Sequence, residues 1–269
     1  MPSLERRVAV DTARAAGRLL LDALPRSRRI ATKSTPLDLV TEMDTRAEAL
    51  IVERLRDAFP EDAVLGEESG AAAGRSGRRW IVDPLDGTVN YAHGVPHFAV
   101  SIALETGGRV ELGVAYLPCA DELYVAERGA GARLNEGTMA VSATQTLDAS
   151  LLVTGFPYDI RERSDNNLPE HAAFTLRARA VRRLGSAVAD LAYVAAGRFD
   201  GLWALRLGPW DVAAGVLLVQ EAGGRVTGID GAPLNLDAPS VVASNGRIHD
   251  EILATLKEVR AGHEPRASG

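Results

Sequence analysis

Several acidic residues in this sequence stand where the chain turns rather than on helix faces. Glu67 and Glu68 follow the apolar stretch that ends at Leu65-Gly66. Asp83 and Asp86 follow Trp80-Ile81-Val82, Asp211 opens an apolar run after Gly208-Pro209-Trp210, and Asp44 precedes a helical pattern. Some have ordinary explanations. Asp44 and Asp211 sit where an N-cap belongs, and Asp is among the best caps. Glu67 and Glu68 suit a solvated turn. Asp83 is harder to explain that way, because a carboxylate at the end of a buried strand is costly unless a cation or several donors compensate it.

The segment Asp83-Pro84-Leu85-Asp86-Gly87-Thr88 makes a sharper proposal. Pro84 removes a backbone donor and stiffens the turn, so that Asp83 and Asp86 converge on one point. Gly87 lets the backbone approach a ligand, and the Gly87 and Thr88 amides face an anion as helix-terminal donors do. Two carboxylates beside an anion nest need a cation between them. An all-oxygen ligand set, with no Cys or His at ligand spacing, suits Mg²⁺ or Mn²⁺ better than Zn²⁺. The segment reads as a phosphate site served by Mg²⁺.

The elements that position these residues follow from periodicity. Leu4, Val8, Ala15, Leu19 and Ala23 predict a first helix ended by Pro25. After the connector Ser34-Thr35-Pro36-Leu37-Asp38, a second helix over Thr45–Ala58 shows Ala47, Leu50, Ile51, Leu55 and Ala58 on its apolar face. Ala63–Leu65 and Trp80–Val82 read as strands around a mobile Gly70–Gly77 loop. Phe98–Leu104, Gly113–Leu117 and Leu123–Ala126 read as an antiparallel meander. From Leu151 the pattern changes to strand Leu151–Thr154, helix Ser186–Ala196, strand Gly201–Leu205, helix Val212–Glu221, strands Arg225–Thr227 and Val241–Ser244, and a last helix with Ile248, Ile252, Leu256 and Val259 on one face. Alternation of strands and helices predicts a largely parallel second sheet. The expected organisation is an N-terminal α+β unit over 1–148, a C-terminal α/β unit over 149–260, and a flexible tail over 261–269.

Composition bounds the answer. The chain has 269 residues, 46% hydrophobic and 25% charged, with a net charge of −6. That is the balance of a soluble globular protein, without the electrostatic footprint of a nucleic-acid or anionic-membrane binder. The longest dense apolar run, Val212–Val219, falls far short of the roughly 20 residues of a membrane helix. Asp11, Arg14 and Arg18 interrupt the apolar stretch that a signal peptide would place after Arg6 and Arg7, so a cytoplasmic location is expected. The single cysteine, Cys119, excludes an intramolecular disulfide and is expected to be a small buried residue. His93 and His97 are expected to serve loop packing.

Asp83–Thr88 and Trp210-Asp211-Val212-Ala213-Ala214-Gly215 resemble the two signatures of the inositol monophosphatase family, within the magnesium-dependent, lithium-sensitive phosphatase superfamily. The likeness extends to Lys33–Asp44, Gly66-Glu67-Glu68-Ser69 and Arg182–Ala187, and runs from the first helix to about Val259. It implies a layered αβαβα sandwich, two to three Mg²⁺ ions (Mn²⁺ as the substitute), a homodimer, and hydrolysis of a small-molecule phosphate monoester. By resemblance, Glu67, Asp83 and the Leu85 carbonyl hold the first ion. Asp83, Asp86 and Asp211 hold the second, and Glu67 helps hold a third. Thr88, oriented by Asp44, positions the attacking water, so Thr88, Asp44 and Glu67 are the expected catalytic residues. The Gly87 and Thr88 amides hold phosphate. Gly185, Ser186 and Ala187 line the alcohol side, where Asp86 accepts from a hydroxyl.

Asn90 and Tyr91, after Thr88, favour the inositol branch over the histidinol-phosphate and phosphonucleotide branches. One position departs from it. Where inositol phosphatases commonly carry a Glu that accepts ring hydroxyls, this chain has Ala204, with Arg206 two residues on. The expectation is therefore an enzyme permissive toward polyol and sugar phosphates, with Arg206 meeting an anionic or polar group of the substrate. Fructose-1,6-bisphosphatase or histidinol-phosphatase activity is the alternative within the superfamily, and the pocket around Ser186, Ala204, Arg206 and loop Arg161–Glu170 must decide between them. A noncatalytic metal- or phosphate-binding interaction protein is the alternative outside it.

Overall fold

A computed structural model of the chain describes residues 2–24, 30–32 and 39–263; Pro25 and the Ser34–Asp38 connector lie outside them. Five layers stack in the order helix, sheet, helix, sheet, helix. The first holds α1 (Leu4–Ala23) and α2 (Glu42–Ala58), which pack on each other and on one face of an eight-stranded sheet. Just before α2, β1 (Ile30–Thr32) and β2 (Leu39–Thr41) form a small antiparallel ribbon. The large sheet comprises β3 (Ala63–Gly66), β4 (Gly70–Ala72), β5 (Arg78–Asp86), β6 (Ala99–Thr106), β7 (Arg109–Leu117), β8 (Glu122–Glu127), β9 (Ala132–Leu134) and β10 (Gly137–Thr138). Its order is β10-β9-β8-β7-β6-β5-β3-β4. The predicted meander is β6 to β8, and β3 pairs parallel with β5. The segment expected as a mobile loop begins as β4, which closes back on β3.

The buried stripe of α1 is not the predicted one. Ala9, Ala13, Ala16 and Leu20 face inward, whereas Leu4 is half exposed. Small residues let this helix lie close on the sheet, and a search for bulky apolar residues passes over them. On α2 the prediction holds for Ala47, Ile51 and Leu55, but the same face also buries Asp44 and Glu48.

The middle layer is α5 (Ala187–Ala195) and α6 (Pro209–Glu221), which touch both sheets. Covered on both sides, α6 buries every residue from Val212 to Val219 and so has no polar face. Gly113 of β7 lies against the α6 backbone; a Cβ there would sit 2.7 Å from the Ala214 carbonyl oxygen. Helix and strand therefore approach backbone to backbone.

The second sheet holds β11 (Leu151–Thr154), β12 (Ala180–Arg182), β13 (Gly201–Ala204), β14 (Arg225–Gly228) and β15 (Val241–Ser244), in the order β12-β11-β13-β15-β14. Its outer face carries α4 (Leu168–Arg177) and α7 (His249–His263). The expectation of a largely parallel sheet needs correction. β11 pairs parallel with β12 and β13, but β15 pairs antiparallel with both β13 and β14. The unit β13-α6-β14 does run its two strands in one direction, as a helical crossover requires. The return strand β15 then inserts between them. Helix α4 replaces the last part of the loop expected over Arg161–Glu170, and α7 continues through the first residues of the expected tail. Cys119 is exposed, on a 3₁₀ turn over Pro118–Ala120, instead of buried. No helix among the described residues is long and apolar enough to cross a membrane.

His249, at the start of α7, is fully buried. Its Nε2 lies 3.0 Å from Thr227 Oγ1 and its Nδ1 lies 2.9 Å from Ser244 Oγ. Burial pushes the imidazole from 6.5 down to about 4. The unfolded chain thus binds a proton in a window where the folded chain does not, and stability falls as pH drops from 6.5 toward 4. Urea denaturation across that window is expected to show a steeper loss for the wild type than for His249→Gln. Parallel curves would rule this out.

Candidate active site

The parallel pair β3 and β5 ends at the site. Gly66 pairs with Val82, so Glu67 leaves β3 beside Asp83 of β5, and the Glu67 N–H donates to the Val82 carbonyl at 3.2 Å. Between Asp83 and Asp86 the register against β6 slips: Asp83 faces Ser101 and Asp86 faces Ala99. In a regular strand, residues three apart point to opposite faces. The extra residue of this bulge turns both carboxylates the same way. Pro84, which has no N–H to lose, sits inside it, and the Leu85 N–H donates to Asp83 Oδ1 at 3.0 Å.

After β5 the chain turns through Gly87 into the short helix α3 (Thr88–Ala92). Gly87 is left-handed, with φ 95°, and a Cβ there would press on the His97 and Gly185 carbonyls at 3.1 and 3.3 Å. The glycine is thus required by turn geometry and packing. Thr88 Oγ1 lies 2.8 Å from Asp44 Oδ1 and 3.0 Å from the Leu85 carbonyl oxygen. Its one proton is directed at these acceptors, which leaves an oxygen lone pair for the cavity.

Asp44 is not the cap of α2. Thr41 is, and Asp44 stands two residues into the helix, accepting from the Thr41 N–H at 2.8 Å and hydroxyl at 2.6 Å. Asp211 has the same relation to α6, where its Oδ2 accepts from the Gly208 N–H at 2.7 Å. Capping and site chemistry use the same side chains. Asp86 is tied to a third helix start: its Oδ2 accepts from the Ser186 hydroxyl at 2.5 Å and the Val188 N–H at 2.7 Å, at the beginning of α5. That oxygen is therefore engaged before any substrate hydroxyl arrives.

These elements bring together carboxylates distant in sequence. Oxygens of Asp83, Asp86 and Asp211 lie within 4.8 Å of one another. Glu67 stands outside this tight group, yet its charge raises the pKa of both Asp83 and Asp211. Burial, then the neighbouring carboxylates, pushes Asp83 well above the usual carboxylate range, and Asp211 follows for the same reasons. Asp86 is raised to about 6 by burial, against the opposing pull of Ser186 and the Val188 N–H. Asp83 Oδ2 is buried and has no hydrogen-bond donor. An orphaned carboxylate oxygen among other carboxylates, in an all-oxygen set, fits a hard divalent cation.

A cavity of about 350 Å³ opens over this cluster. Glu67, Asp83, Leu85, Asp86, Gly87, Thr88 and Asp211 line one part, and Gly185, Ser186, Ala187, Ala204 and Arg206 line the rest. All the residues expected at the site except Asp44 therefore meet in one cavity, and Asp44 stands behind Thr88. Arg206 differs from its expected role. Its guanidinium is already bound to Asp159 and Asp165, at 2.6 Å each, and fastens the loop that carries Phe156 and Tyr158 over the cavity. It does so from a left-handed backbone, φ 52°. Neither His93 nor His97 lines the cavity.

Two carboxylates were not anticipated from sequence. Asp190, in an apolar turn of α5, is buried against the cavity with one oxygen lacking a partner; desolvation and Asp86 hold it well above the usual range. Glu48 accepts from the backbone that follows Glu67. The available signal was a charge in phase with an apolar face: Glu48 is four residues after Asp44, one after Ala47 and three before Ile51.

The inositol monophosphatase family profile matches residues 3–261. The inositol-1-monophosphatase of Synechocystis sp. is 43% identical over 250 residues, covering 93% of this chain and 87% of that protein. A Pseudomonas aeruginosa protein named Nus factor SuhB is 43% identical over 257 residues, covering 93% and 94%. The solved inositol monophosphatase of Anabaena (Nostoc) sp. superposes with a TM-score of 0.86 at 43% identity, covering 94% of each chain. The chain belongs to the inositol monophosphatase family, metal-dependent phosphoric monoester hydrolases.

Proposed function

We propose that this phosphatase uses Mg²⁺ to hydrolyse inositol monophosphate and related polyol or sugar phosphates, with little discrimination among them. The observation that carries the reading is the convergence of Asp83, Asp86 and Asp211 beside the Asp44–Thr88 pair in one cavity. Glu67, Asp83 and the Leu85 carbonyl would hold one ion, Asp83, Asp86 and Asp211 a second, and Glu67 would help hold a third. When bound, such ions neutralise a phosphate dianion and lower the pKa of water.

The chain's own groups do the rest. Asp44 fixes the Thr88 proton, so that the Thr88 oxygen accepts from a water and aims it in line with the phosphorus. The Gly87 and Thr88 amides, at the start of α3, donate to phosphate oxygens. Ser186 and the Val188 N–H keep Asp86 from swinging away. The alcohol leaves toward Gly185, Ala187 and Ala204. Ala204 offers no acceptor to a ring hydroxyl, and Arg206 is engaged with its two aspartates, so the alcohol end selects weakly. A homodimer, on family resemblance, and a cytoplasmic location complete the proposal. The Nus factor name of the Pseudomonas relative suggests an interaction role, but a purely noncatalytic protein would not need the complete set of acidic residues with Asp44 and Thr88.

Phosphate release, assayed with and without Mg²⁺, is expected from inositol 1-phosphate and from several sugar and polyol monophosphates at rates within about tenfold, the span of one weak contact. Strict preference for inositol 1-phosphate would overturn the permissive reading. Asp83→Asn is expected to lower turnover by at least about 10²-fold, as for loss of a principal electrostatic group; an active variant would sink the metal assignment.

The pKa shifts give a further test. Asp86 is raised from 3.8 to about 6, so between those values the metal-free folded chain keeps a proton that the unfolded chain has lost. Its contribution to stability therefore falls as pH rises through that window. A cation that binds the ionised form must displace this proton. Calorimetric Mg²⁺ titrations are expected to show proton release, and weaker binding near about pH 5 than near about pH 8. Equal affinity at both would contradict the assignment.

A further inference from the structure

Glu48 lies on α2 four residues after Asp44, on the same buried face, and is only 3% exposed. Both of its carboxylate oxygens are engaged by backbone. Oε2 accepts from the Glu68 N–H at 2.8 Å and Oε1 from the Ser69 N–H at 2.7 Å. These two amides supply charge-assisted hydrogen bonds of the kind a buried carboxylate requires. The residue on the other side of Glu67 is shaped around the same group. A Cβ on Gly66 would sit 2.6 Å from Glu48 Oε2.

Glu67 is therefore held from both sides. Its own N–H is bound to the Val82 carbonyl of β5, and the next two N–H groups are bound to Glu48. One helix face thus carries two buried carboxylates with parallel duties: Asp44 receives the Thr88 hydroxyl, and Glu48 receives the turn that bears Glu67. We propose that Glu48 is a positioning residue that aims Glu67 into the cavity and so sets the affinity of the divalent ion that Glu67 shares. This rests on the assignment of Glu67 as a ligand under the proposed function. The physical reason is donor matching. A glutamine at 48 keeps the shape but can accept from only one of the two N–H groups, because its amide nitrogen would face the other as a second donor. The turn must then rotate, and Glu67 with it.

The test is a Mn²⁺ titration of the metal-free protein, read by calorimetry and by the electron paramagnetic resonance signal of free Mn²⁺. Glu48→Gln is expected to weaken the step that Glu67→Gln also weakens, by about 10- to 100-fold, the usual effect of losing a group that orients a ligand. The Mg²⁺ concentration for half-maximal activity should rise by a similar factor. The double variant should bind no worse than Glu67→Gln alone, since Glu48 acts through Glu67. A Glu48→Gln isotherm that superposes on the wild type, or losses that add in the double variant, would overturn the proposal. Gly66→Ala supplies a second route, displacing the Glu48 carboxylate without changing its charge. It should reproduce the same loss even if Glu48→Gln fails to fold. A wild-type chain that binds no Mn²⁺ would instead overturn the metal reading itself.

Discussion

Mutual repulsion of carboxylates is the constraint around which this molecule is arranged. At separations within 4.8 Å and an effective dielectric near 20, each ionised pair among Asp83, Asp86 and Asp211 would repel by at least about 3.5 kcal/mol. Helix starts oppose that repulsion. The beginnings of α2, α5 and α6 point their free N–H groups at Asp44, Asp86 and Asp211. A charge-assisted hydrogen bond contributes about 1.5–3 kcal/mol and a helix dipole somewhat less, which offsets the repulsion only in part. Burial first, and for Asp83 and Asp211 the remaining repulsion second, raises their pKa values, and the cluster is completed by positive charge.

The layered architecture makes this convergence possible. Asp211 and Asp86 meet because α5 and α6 lie between two sheets, with α6 pressed on β7 at Gly113 and α5 starting beside the bulge in β5. The first layer serves the same site from the opposite face of the large sheet, through Asp44 and Glu48. The two sheets and the middle helices contribute side chains to the cavity, and the first layer supports them from behind. The strand and helix interiors between them supply rigidity.

The acidic residues at element ends were legible in the sequence because each broke an apolar pattern where a turn began. That signal marks Asp44, Glu67, Asp83, Asp86 and Asp211 in the sequence alone. It could not show that Asp44 and Asp211 are first-turn partners of other caps, because cap identity depends on backbone dihedrals. Glu48 was hidden for the opposite reason: it lies in phase with an apolar face, where a charge reads as noise. Sheet direction was partly legible. The crossover β13-α6-β14 followed from alternation, whereas the insertion of β15 between its strands is a tertiary choice that no local pattern records. Arg206 illustrates a further limit, since its partners, Asp159 and Asp165, are 47 and 41 residues away in sequence. Cys119 misled because cysteine is usually buried, and the 3₁₀ turn between β7 and β8 carried it outward.

The contact between Gly113 and the Ala214 carbonyl has a wider meaning. Ala214 lies one turn from Asp211, so the spacing between two backbones fixes where a carboxylate stands. The dimensional tolerance of the reaction centre is set at a residue with no side chain, no charge and no view of the substrate. Drift at that position is bounded by chemistry it never touches, and an inactive variant need not have lost any of the groups that act.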